Sequence, residues 1–275
     1  MLGPYNWEEV TGQSDLRNKV AEWLATEGYP LEMQVARAWL RSGFHVQQAE
    51  YYEDPETKTL REIDVIAGIQ IAFGRHLIRL TLCVECKVIK NRPWVLLTSS
   101  DVQLAAPAQV TQRAASKHGL IFLRMVAHNK TYQNLQLLRL PPRPGYGLIQ
   151  ALAAKGSDVA YAACMSAVKA TASRVAAANA AADRDLRHIV EIVVPVIVVE
   201  GHLFESFLDH DGEIKVHELG EGTLVWRNPL VQRPHTIVRV VTLSCLPQLI
   251  KEAQAAAELL QHSEVDVRQA LSRPP

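Results

Sequence analysis

The chain has 275 residues, 48% of them hydrophobic, with 29 basic residues balanced by 29 acidic ones. That length allows one large domain or two small ones, and the apolar share fills a core, which excludes an intrinsically disordered chain. With a formal net charge of +0 the chain is not one that coats nucleic acid by charge alone; any such contact needs a local basic patch or a partner.

Residues 13–27 read as a helix, with Leu16, Val20 and Leu24 at helical spacing and Gly28 after it. A second helix is expected at about 30–42, where Pro30 suits the first turn, Leu31, Val35 and Trp39 form a stripe, and Gly43 suits the C-terminal cap. Three strands are expected next, at 44–52, 60–71 and 77–89, parted by a turn-rich segment at 53–56 and by Gly74-Arg75. Residues 94–98 are apolar and strand-like, a helix is expected at 107–118 and a strand at 120–127, and PPRPG at 141–145 is a break. The alanine-rich segment 148–182 predicts one long helix or two, and its small side chains suit close packing on a sheet. Residues 189–200 are Val- and Ile-rich without alternation, which suits a strand covered on both faces. Short strands are expected at 202–208, 213–219, 223–227 and 236–244, with Asp211-Gly212 as a hairpin turn, then a helix at about 247–262. The whole reads as a single α/β domain.

Within the apolar strand LIRLTLCVECKVI, Glu85 and Lys87 share one face, because strand side chains alternate. Charges in such a strand are costly unless they are paired, solvated or bound to a metal. The preceding strand carries Asp64 amid apolar residues, and a hairpin brings it close to Glu85. Two converging carboxylates suit a hard divalent cation such as magnesium, and a lysine beside them can orient or deprotonate water and offset negative charge. The Glu-x-Lys spacing alone decides nothing, since Glu56-Thr57-Lys58 and Glu213-Ile214-Lys215 repeat it in polar turns. A salt-bridged pair is the bland alternative for Glu85 and Lys87, and an acid at the helix N-terminus is the one for Glu32.

The order of Glu32 on a helix, Asp64 on a strand and Glu85-Cys86-Lys87 on the next strand resembles the PD-(D/E)XK nuclease superfamily, over roughly residues 28–100. The helix text GYPLEMQVARAWLRSGF is similar to that superfamily's first core helix, and KNRPWV (90–95) resembles the extension after its motif; Ile63 stands where the family name has proline. The resemblance implies a restriction-endonuclease-like core of α-β-β-β-α-β order, a mixed central sheet flanked by helices, at about 28–210. It leaves an insertion at about 91–150, the second core helix in 157–182, and a β-rich C-terminal extension with a terminal helix at about 211–275. It further implies a magnesium-dependent phosphodiesterase (manganese substituting) with Asp64, Glu85 and the Cys86 carbonyl as ligands and Glu32 binding the metal or positioning Lys87. Lys90, Arg92 and Trp94 are weak candidates for nucleic-acid contact, as is Arg113. The expected substrate is DNA in preference to RNA, in bacterial defence or DNA processing. A ribonuclease, or an inactive binding or assembly module of the same fold, is the alternative.

No zinc finger, HExxH, G-x-S-x-G or phosphate-binding loop is present, which disfavours a zinc protease, a serine hydrolase and an ATPase, and leaves either low sequence specificity or targeting by a protein partner. Cys83 and Cys86 are three apart on a strand and face opposite sides, so they suit a core better than a shared metal. The 4 cysteines are too scattered for a disulfide scaffold, MLGPYNWEEV does not read as a secretory signal, and the run 189–199 is too short to span a bilayer. A soluble cytoplasmic protein without a membrane partner is expected, with homodimerisation allowed by its helices.

Overall fold

In the computed structural model, which describes residues 11–89, 92–152, 158–226 and 236–272, two helices open the chain, α1 (Thr11–Thr26) and α2 (Tyr29–Arg41). Pro30 presets the first turn of α2, which buries Leu31, Val35, Ala36 and Trp39, and Gly43 at φ 87 turns the chain out of it. On α1, by contrast, Leu16 and Val20 of the apolar stripe stay 62% and 45% exposed. An antiparallel meander follows: β1 (His45–Glu53), β2 (Leu60–Phe73) and β3 (His76–Val88), with Gly74 at φ 62 in the two-residue turn between the last two.

The middle of the chain forms β4 (Trp94–Thr98), α3 (Ala106–Thr111), β5 (Ala114–Ala115), α4 (Lys117–Val126), α5 (Lys130–Gln133) and β6 (Gly145–Gln150). Then come α6 (Val159–Asp185), β7 (His188–Glu200), β8 (Leu203–Leu208), β9 (Ile214–Leu219), β10 (Glu221–Trp226), β11 (Thr236–Thr242), α7 (Leu246–Gln261) and α8 (Glu264–Ser272). The strands make one 11-stranded mixed sheet in the order β1-β2-β3-β7-β11-β10-β6-β4-β8-β9, with β5 on β7. β7 is parallel to both β3 and β11, and it is buried from Ile189 to Val199, as its unbroken apolar run requires.

Helices flank this sheet. On one face α2, α4, α7 and α8 contribute to a single core with Val65, Leu82, Val84, Val194 and Val196. The other face is crossed by α6, whose buried alanines (Ala160, Ala163, Ala167, Ala170, Ala178, Ala182) let its backbone lie close to the strands. The chain is therefore an α/β protein with a large mixed sheet flanked by helices. No described helix is long and apolar enough to cross a membrane.

Three expectations change. Residues 120–127 form most of α4 rather than a strand, because Ser116 caps the helix by accepting from Gly119 N at 3.0 Å, and Gly119, Phe122, Leu123 and Val126 form its buried stripe. The helix expected at 107–118 ends at Thr111, so that Arg113 can turn inward. Segments 91–150 and 211–275, expected outside the core sheet, supply β4, β6, β9, β10 and β11 to it, and β11 lies beside β7. A further helix, α8, follows the expected terminal one.

Candidate active site

The site arises where two strands part. The β2–β3 ladder runs from the hairpin to Val65↔Val84 and stops, whereas β2 stays paired with β1 to Leu60 and β3 stays paired with β7 to Val88. Continuing the register places Asp64 opposite Glu85, in the mouth of this fork. On its other side Asp64 lies opposite Ala49, the one β1 residue skipped within the β1–β2 ladder, whose φ of 52 is rare for a side chain with a Cβ. Asp64 thus sits where both neighbouring ladders are interrupted.

Its side chain replaces the missing strand contact. Cys86 N donates to Asp64 Oδ2 at 2.6 Å. In a strand the N–H and C=O of one residue point the same way, so the Cys86 carbonyl opens on the same gap. Glu85 and Lys87 alternate to the α6 face, where Lys87 Nζ lies 2.6 Å from Glu85 Oε1 and Ser166 Oγ donates to Glu85 Oε2 at 2.7 Å. Tyr52 Oη, from β1, donates to the Ser166 carbonyl at 3.3 Å. Each Glu85 oxygen retains a further lone pair for a cation.

Burial and charge set the protonation of the cluster. Burial, with repulsion from Glu85 next, pushes the Asp64 carboxyl up to about 7 against the pull of the Cys86 N–H and Lys87. Burial also raises Glu32, which feels Lys87, Glu62 and Glu85 from the first turn of α2. For Lys87, burial lowers the pKa, but the Glu85 carboxylate more than offsets this, and the amine is held as an ammonium. Two carboxylates that repel one another beside an open carbonyl suit a divalent cation, because the cation removes the repulsion that burial magnifies.

Asp64, Glu85 and Lys87 share the fork, and Glu32 lies within its electrostatic reach from the neighbouring helix. The weaker candidates fare differently. Trp94 is fully buried in the core under α6, so it is a packing residue and not a nucleic-acid contact. Arg113 is also buried; it donates to the Gln109 and Leu138 carbonyls and holds the loop after α5, which burial favours over a phosphate role. Arg92 is exposed, and Lys90 lies outside the described residues. Cys83 packs against Ala170 on the α6 face and Cys86 against the α2 face, so the two thiols cannot share a metal. Burial raises both thiols, Cys83 to about 12.

Sequence reasoning missed Ser166, Tyr52 and the device that fixes the β1–β2 turn. The signal was present in α6: Ser166, Lys169 and Arg174 are polar residues on a helix that otherwise buries alanine. Lys169 Nζ contacts Asp54 Oδ2 at 2.9 Å and Glu56 Oε2 at 2.5 Å, and Asp54 also accepts from Arg61 and from the Glu56 and Thr57 N–H groups. These bonds hold the Asp54 carboxyl well below the usual range despite its burial, and pin the hairpin tip to α6. Among the described residues, a closed trio of ligand groups within 4.8 Å occurs at Asp209, His210 and Asp211, on the β8–β9 turn. Its acids are already used: Asp209 accepts from the Asp211 and Glu213 N–H groups and pairs with Lys215, and Asp211 contacts His210. Comparison of the chain with protein-family models, with curated proteins and with solved structures returns no match.

Proposed function

We propose that the chain is a magnesium-dependent nuclease with a restriction-endonuclease-like core, acting on DNA in preference to RNA. One observation carries this reading: Asp64, Glu85, the Cys86 main chain and Lys87 meet in a strand fork, with Glu32 beside them. The order α2, β1, β2, β3, then α6 and β7, with β7 parallel to β3, supports the same core. Manganese is expected to substitute for magnesium.

Asp64, Glu85 and the Cys86 carbonyl would hold the metal, an all-oxygen set of the kind magnesium takes. When bound, the metal supplies Lewis acidity to a phosphate oxygen and lowers the pKa of a water. Lys87, as an ammonium, stabilises the charge that develops on the phosphate and orients the attacking water. Ser166 and Lys87 fix both Glu85 oxygens, so that carboxylate is in place before substrate arrives. Glu32 tunes the field at Lys87 from across the fork.

The test is nicking of supercoiled plasmid by the purified chain with magnesium or manganese, beside a matched RNA, using wild type and Lys87→Ala. Metal-dependent nicking that disappears in the variant supports the reading, with RNA cut more slowly. A wild-type protein that binds no divalent ion and cuts neither polymer is instead an inactive binding module of this fold.

A further inference from the structure

A cleft of about 1230 Å³ opens on the α6 face of the sheet, beyond the hairpin tip, and the chemistry above does not use it. Four aromatic side chains, Tyr146, Tyr161, Phe207 and Trp226, stand in its wall. Tyr146 and Tyr161 are 57% and 51% exposed there, and the Tyr161 ring lies 5.4 Å from that of Trp226. Phe207 lies beneath Arg143, whose Cζ is 3.9 Å from the ring centroid. Exposed aromatic faces in a concave wall are placed to stack on flat ligands.

Charge says which part of a ligand the cleft reads. Arg143 is already paired with Glu205 at 2.7 Å, and Glu56 and Asp101 add acids, so the wall is not built for phosphates. Ring faces and hydrogen-bonding edges are what it offers. Ser99 and Asp101 supply polar atoms, and two buried donors, Trp226 Nε1 and Arg143 Nε, have no acceptor among the described residues. Those two atoms are sealed from solvent, so it is the exposed tyrosine faces that a ligand in the cleft meets.

The cleft also borders residues that lead toward the fork. Met165 lines it and is the chain neighbour of Ser166, which donates to Glu85. Glu56 lines it and shares Lys169 with Asp54. Along α6, Tyr161 precedes Ser166 by five residues, about 7.5 Å at the helical rise, which is a short step along an extended strand.

We propose that this cleft receives the unstacked bases of a single-stranded nucleic acid whose backbone passes the Asp64–Glu85–Lys87 fork. The volume exceeds what one drug-sized ligand needs, so it suits successive bases. A duplex covers its base faces by internal stacking and has nothing to offer these rings. The assignment of substrate class rests on the nuclease reading of the fork, but occupancy of the cleft does not require cleavage.

Fluorescence anisotropy in EDTA tests it, using a short labelled single-stranded DNA, the matching RNA and their blunt duplexes. Tyr146→Ala and Tyr161→Ala each weaken single-strand binding by roughly tenfold, the loss expected from one stacked base. Tyr161→Phe keeps wild-type affinity, and duplex affinity stays unchanged throughout. Both tyrosines are more than half exposed, so thermal melts should match wild type. Equal affinity for single strand and duplex, or tyrosine variants that bind as wild type does, overturns the proposal. Tyrosine-dependent binding with no metal-dependent cleavage of either the plasmid or the single strand would leave the cleft standing and remove the nuclease reading; cleavage with no tyrosine dependence of binding would do the reverse.

Discussion

At Lys87 the side chain is 30% exposed and its ammonium lies 2.6 Å from Glu85, so truncation removes charge from the fork without opening a cavity in the core. Lys87→Ala is therefore expected to fold, with a far-ultraviolet spectrum like that of wild type, and to nick plasmid at least about 100-fold more slowly, the usual cost of losing a preorganised charge. A variant that nicks at the wild-type rate would make Lys87 a structural partner of Glu85 only. Asp64 makes a different prediction, because its protonation is tied to stability. Its carboxyl titrates near 7 in the fold, against about 3.9 in an unfolded chain. The folded state thus holds its proton more tightly, so the stability contributed by Asp64 is complete below the unfolded value and is lost as pH rises through 7. Asp64→Asn keeps an acceptor for Cys86 N and carries no charge to repel Glu85. Without metal, the variant should melt several degrees higher than wild type at pH 8, and at about the same temperature at pH 4. Magnesium should raise the melting temperature of wild type at pH 8 and leave the variant unmoved. A less stable variant at pH 8 would show that Asp64 does not bear the strain assigned to it.

At the scale of elements, the strands around the fork were legible because alternation and apolarity fix which face each residue takes. Parity put Glu85 and Lys87 on one face, and the cost of burying charge in an apolar strand singled them out with Asp64 on the strand before. The fork itself was not legible: it depends on where the β2–β3 ladder stops, and on Ala49 adopting a left-handed backbone, for which a residue with a Cβ gives no signal. Ser166 stood out as a polar residue on α6, but its pairing with Glu85 was not legible, since the two lie 81 residues apart. The apolar run in α4 was misread because strand and helix periods both accommodate it, and the deciding residue, Ser116, lies outside the run. The same cap explains a prediction. A Cβ on Gly119 would meet the Glu191 carbonyl oxygen at 2.7 Å and Ala115 Cβ at 3.0 Å, and that carbonyl already accepts from Ser116 N. Alanine improves helix propensity by about 1 kcal/mol, but forcing α4 off β7 costs about 1–3 kcal/mol. Gly119→Ala should therefore unfold at lower urea concentration than wild type, with an unchanged slope. A midpoint at or above wild type would mean that α4 can shift freely.

For the whole molecule, the decisive feature is that the C-terminal strands are not appended to the fork but back it. Ile197 of β7 pairs with Glu85 on one side and Val240 on the other; Val199 pairs with Lys87 and with Thr242. The β7 segment that holds the two candidate residues of β3 in register is thus held in turn by β11, which is buried along its whole length. Nothing in the sequence of β11 announces this, because a short Val-rich strand fits an edge or a centre equally well. A fragment ending at residue 202 would keep Glu32, Asp64, Glu85 and Lys87, and would look complete to a motif search. It would also bare the β7 edge and the apolar face that α7 covers, an edge that invites aggregation. The fragment is expected to be insoluble or to melt without a cooperative transition, and to nick no plasmid under conditions where the full chain does. Cooperative unfolding of the fragment, followed by calorimetry, together with retained nicking, would show that the fork is self-sufficient and that β8 to β11 serve some other purpose.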